Sequence, residues 1–62
     1  MIFVLKVATN KEDQVSELIA ERVRKKQLPV YSIIRPHGLK GYILLEVLDK
    51  ETAEEATFNI SY

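Results

Sequence analysis

The 62-residue sequence contains no cysteine and a single histidine, His37. Without thiols, neither a disulfide framework nor a cysteine-based zinc site can supplement the core, so any zinc it works with has to come from a partner. Charge of one sign is missing too: nine Lys and Arg balance nine Asp and Glu. That balance argues against a domain that grips nucleic acid by itself, because phosphate binding is driven by many cations releasing counterions. Long hydrophobic runs are absent. MIFVL (1–5) and YILLEVL (42–48) fall far short of a bilayer span, and no charged-then-apolar leader with a small-residue cleavage site is present, which makes a cytoplasmic location the default expectation.

What is present is an ordinary globular composition, 47% apolar and 29% charged. A chain this short forms one domain at most and buries only about 60% of the surface its unfolded form exposes, so its stability is marginal. IFVLKV (2–7) reads as a strand, with Phe3, Leu5 and Val7 on one face and Ile2, Val4 and Lys6 on the other. Thr9 or Asn10 offers a helix N-cap, and Glu12, three residues after Thr9, completes a capping-box pattern. From Lys11 to about Gln27, the spacing of Val15, Leu18, Ile19 and Val23 lines them along one helical face. Arg22, Arg24, Lys25 and Lys26 crowd the last turns, where they either complement the helix dipole or form a phosphate-binding patch.

Pro29 closes that helix. VYSII (30–34) then reads as a second strand, Pro36 and Gly38 mark a turn, and residues 40–48 read as a third strand. Asp49 caps a second helix from Lys50 to about Phe58, with Ala53, Ala56 and Ile60 facing inward. The order β-α-β-β-α is an α+β, ferredoxin-like split βαβ motif lacking its fourth strand: an antiparallel sheet with strands 1 and 3 adjacent and both helices on one face. GYILLEV (41–47) is greasy on both faces. Parity sends Ile43, Leu45 and Val47 to the helices with Phe3, Leu5, Val7, Leu18, Ile19 and Val23, and leaves Val4, Tyr42 and Leu44 on the uncovered face. A contiguous exposed apolar patch of that kind marks an interaction surface.

Signals for chemistry are weak. His37, between Pro36 and Gly38, has no evident partner for general base work and reads as a solvated turn residue. Glu12, Asp13, Glu54 and Glu55 are helical acids explained by solvation and dipole complementarity. Gly38 and Gly41 lie in a hairpin, and no phosphate-loop or dinucleotide-binding string exists. Neither an enzyme, a cofactor nor a resident metal is expected.

At VYSIIRPHGLKGYILLEV (30–47), preceded by IFVLKV and an acidic-starting helix carrying Glu12, the chain resembles the NusG N-terminal (NGN) domain of the archaeal and eukaryotic Spt-type transcription elongation factor, the larger subunit of the DSIF-like complex. The resemblance covers residues 1 to about 60. Asn10 stands where the family tends to have glycine, a mild change, since Asn also tolerates left-handed backbone. The family continues into a fourth strand and commonly a KOW module, so the expectation is an NGN-like domain over 1–62, C-terminally incomplete through truncation or divergence, with strand 1 left as an edge.

The resemblance implies a factor without catalytic activity that sits on RNA polymerase. It places the hydrophobic depression for the polymerase clamp coiled coil at Val4, Tyr42 and Leu44, with the domain bridging the DNA cleft to keep elongation processive. It also implies a heterodimer with a small zinc-ribbon subunit, joined in one continuous sheet, in which Glu46 meets a helix N-terminus; Glu46 otherwise only keeps a strand end soluble. Nucleic acid would be contacted only indirectly. A small ferredoxin-like RNA-binding or ligand-sensing module is the alternative, with Tyr42 as a thin stacking platform.

Overall fold

The β-branched and aromatic side chains at the start of the chain form strand β1, Ile2–Lys6, in the computed structural model, which describes residues 1–62. Helix α1 (Glu12–Lys26), strands β2 (Val30–Ile34) and β3 (Tyr42–Val47) and helix α2 (Lys50–Thr57) follow. The expected element order is therefore present. All pairings are antiparallel, and the strand order β1-β3-β2 puts β3 in the centre and leaves each outer strand with one neighbour.

Register divides the side chains as alternation requires. Phe3 pairs with Leu45 and Leu45 with Ile33, while Leu5 pairs with Ile43, all on the helix-covered face. Leu5, Val7, Val15, Ile19, Ile43, Leu45, Val47, Ala53 and Ala56 are the buried core, with Phe3, Val23, Leu28, Val30, Ile33 and Ile60 packed around it. The two alanines let α2 approach the sheet closely. A register shift between Val30 and Ser32 makes Tyr31 the extra residue of a β-bulge, so Tyr31 stands exposed at the sheet edge.

Leu18 departs from the expected core: it is 44% exposed. The inward stripe of α1 instead runs through Val15 and Ile19 to the half-buried Val23, spaced four residues apart, and Leu18 lies off its side in a hollow of about 230 Å³ shared with Ile60. The α1 capping box also fails to form. Asn10 takes a left-handed conformation (φ 70°), so Lys11 becomes the N-cap, with no side-chain cap bond, and Glu12 is the first helical residue rather than the third. A carboxylate at that position cannot reach back to close a box, and the Glu12 side chain crosses to the sheet instead. At the far end Gln27 turns left-handed and the Leu28 N–H reaches the Val23 carbonyl at 3.2 Å, so helix closure precedes Pro29.

β3 is shorter than the expected 40–48 because Gly41 is a turn residue. Its φ is +86°, its carbonyl accepts the Val7 N–H at 2.7 Å, and a Cβ there would lie 3.1 Å from the Val7 carbonyl oxygen. α2 begins as expected: the Asp49 Oδ1 accepts from the Thr52 N–H (2.8 Å) and the Thr52 hydroxyl (2.6 Å).

Candidate protein-docking site

The uncovered side of the sheet is built by the residues that alternate with the core. Val4 pairs with Leu44 and Leu44 with Ile34, forming an apolar row that crosses all three strands. On one side of this row Lys6 pairs with Tyr42; on the other Ile2 pairs with Glu46, and Glu46 with Ser32. Val4 (57%), Ile2 (54%) and Ile34 (42%) are exposed, while Tyr42 and Leu44 on the central strand are half-buried between them. The arrangement is an open apolar row, its central-strand members half-buried because a strand flanks them on each side. No helix lies over it, and burying such surface against a partner releases about 25 cal/mol per Å² of apolar area.

Val4, Tyr42, Leu44 and Glu46, the residues singled out in the sequence, thus share one face. Glu46 is exposed at the end of that face and its Oε1 accepts a hydrogen bond from the Ser32 hydroxyl at 3.0 Å. Ile34 and Ile2 enlarge the patch beyond those positions. The signal for Ile34 lay in β2, where one bulge residue shifts the parity of everything after it; counting from Val30 without the bulge sends Ile34 to the core.

The hollows of the surface lie elsewhere. The larger, about 450 Å³, separates the start of α1 from the β2–β3 loop and is lined mostly by polar side chains, among them Asp13, Arg35, His37 and Lys40. Asp13 and Arg35 form an ion pair across it. Beside them the Glu12 carboxylate accepts the Gly41 N–H at 2.6 Å. The backbone N–H of Glu12 itself, then that of Gly41, hold this carboxyl below its ordinary pKa, with smaller help from the Asn10 N–H and Lys40 and some opposition from desolvation. His37 is exposed in the turn. No group of three or more His, Cys, Asp or Glu side chains is placed to hold a metal ion.

The basic end of α1 is tied to the protein itself. Arg22 donates to the Phe58 carbonyl and, at 3.4 Å, to the Glu55 carbonyl, so it caps the C-terminus of α2 rather than its own helix. Lys25 lies 3.9 Å from Glu21 and Lys26 lies 3.8 Å from Glu55. These pairs are exposed and contribute little, but they leave Arg24 as the one cation of the cluster with no bonded acid or carbonyl.

A small antiparallel sheet with helices on one face and an open apolar row on the other defines an α+β domain. The chain belongs to the Spt5-NGN family, described as the NGN section of the early transcription elongation factor of RNA polymerase II, whose model matches residues 1–62. It is 42% identical over 55 residues to transcription elongation factor Spt5 of Methanocaldococcus jannaschii, a match that covers 89% of this chain and 37% of that protein. The fold is similar to a crystal structure of the MjSpt4:Spt5 complex in conformation A (TM-score 0.91, 38% identity), covering 97% of this chain and 44% of that one. It is similar also to the crystal structure of the N-terminal domain of NusG (NGN) from Methanocaldococcus jannaschii (TM-score 0.90, 38% identity), covering 97% and 75% respectively. The chain spans about two fifths of the length of the curated Spt5 relatives it matches, 37% and 40%.

Proposed function

We propose that residues 1–62 form one NGN-type domain of a cytoplasmic transcription elongation factor without catalytic activity. It docks on the RNA polymerase clamp coiled coil through Val4, Tyr42 and Leu44, bridges the DNA cleft and supports processive elongation. The observation that carries this reading is the apolar row across the uncovered sheet face, held in register with a fully formed core behind it. The relatives are named as elongation factors, and one solved neighbour is an Spt4:Spt5 complex. On that basis a small zinc-ribbon subunit is the second partner, with Glu46 offered to the N-terminus of one of its helices, a favourable pairing of charge with dipole.

The experiment is co-purification with archaeal RNA polymerase and the small zinc-ribbon subunit. Leu44→Ser should lose polymerase and keep the small subunit, while Glu46→Lys should do the reverse. Retention of neither partner by the unsubstituted chain overturns the reading. The RNA-binding alternative finds less support, because the open face offers one aromatic, Tyr42, and one cation, Lys6, where stacking platforms combine several of each.

A further inference from the structure

The docking reading names three residues on two strands, but the apolar row crosses three. Val4, Leu44 and Ile34 stand directly opposite one another on β1, β3 and β2. Neighbouring strands are about 4.8 Å apart, so the row spans about 10 Å at right angles to the strands. Seven residues of α-helix rise about 10.5 Å. A helix laid along the row therefore sets its i, i+3 or i+4, and i+7 side chains over Val4, Leu44 and Ile34 in turn, the spacing by which amphipathic helices anchor in grooves.

The flanks of the row are chemically unlike. About 7 Å along the strands to one side lies Lys6 beside Tyr42, and Lys6 has no ion pair within the chain. The same distance to the other side lies Glu46, already hydrogen-bonded to Ser32. An unpaired cation bordering an apolar row favours a helix with an acid on the facing flank, and like charge there would be rejected.

Resting on the docking reading above, we infer that the bound element of the clamp is a single helix that crosses the strands, anchored on Ile34 as its third contact and carrying an acidic side chain opposite Lys6. Ile34 and Lys6 are then part of the binding surface, and they set the direction in which the helix lies.

The test is a titration of the recombinant polymerase clamp coiled coil against the full chain and its Leu44→Ser, Ile34→Thr and Lys6→Glu variants, followed by fluorescence anisotropy at low and high salt. Threonine keeps the β-branched shape a strand prefers, and circular dichroism and Tm check each fold. Ile34→Thr should weaken binding about tenfold with no salt dependence of the loss. Lys6→Glu should weaken it at low salt, with the loss shrinking as salt rises. Wild-type affinity in either variant, alongside a weakened Leu44→Ser, overturns the inference and leaves the docking reading standing. Wild-type affinity in Leu44→Ser removes the docking reading and this inference with it.

Discussion

Two carboxylates, Glu12 and Asp49, do different work at the starts of the two helices. Asp49 closes a local cap on α2 through the Thr52 hydroxyl first and the Thr52 N–H second, and both hold its pKa below the ordinary value of 3.8. Glu12 makes a long-range bond to Gly41 and so pins the entry of α1 to the turn that feeds β3. Its folded pKa lies below 4.5, so its contribution is fully present above that value and disappears as pH falls through the folded pKa. Glu12→Gln should therefore lower Tm at pH 7, and the gap to the unsubstituted protein should begin to narrow below pH 4.5 and close once the pH is below the folded pKa. A gap that persists unchanged in acid would assign the effect to packing instead. Gly41→Ala tests the same junction from the other side: with φ at +86° and the Val7 carbonyl 3.1 Å from the added methyl, it should cost more than the roughly 1 kcal/mol of left-handed strain alone, read by urea unfolding.

At the scale of elements, the central strand and the two helices depend on very different side chains. Leu45→Ala empties a fully buried site beneath both helices and should cost about 2 to 5 kcal/mol, against the roughly 3 to 9 kcal/mol total expected for a domain of this length. Leu18→Ala, on an exposed flank of α1, should shift stability by only about 0.5 kcal/mol, and equal losses in denaturant melts would contradict the packing described here. Both faces of GYILLEV's alternation and the Asp49 cap are legible in the sequence because each is local: period two, or a side chain three residues from its donor. Leu18 was misplaced because a helical face is about 100° wide and sequence does not say where along it the sheet sits. In the sequence Arg22 belongs to a basic cluster that either complements its own helix dipole or forms a phosphate patch; its actual target, the end of α2, starts 33 residues away and is visible only once the fold brings the helices together. The α1 cap failed for a third reason, since the left-handed turn at Asn10 moves the helix start and with it the role of Glu12. Arg22→Ala should raise amide exchange in the last turn of α2 while sparing β1, a pattern that hydrogen exchange resolves directly.

For the molecule as a whole, the sheet divides into a face that carries the core and a face that is open and apolar. The covered face holds the core, and the open face holds Val4, Tyr42, Leu44 and Ile34, none of them needed to bury it. Zero net charge and the internally tied Arg22, Lys25 and Lys26 leave little long-range pull toward nucleic acid. Glu46 stands one alternation along β3 from Leu44, about 7 Å away, so the two contacts proposed above would fall on one surface. The claim that this surface meets the clamp is tested most directly by placing a photoreactive phenylalanine analogue at position 42 and irradiating the chain in complex with archaeal RNA polymerase. Adducts on the clamp coiled coil are the predicted result; adducts only on other polymerase segments, from a complex that still forms, would contradict it.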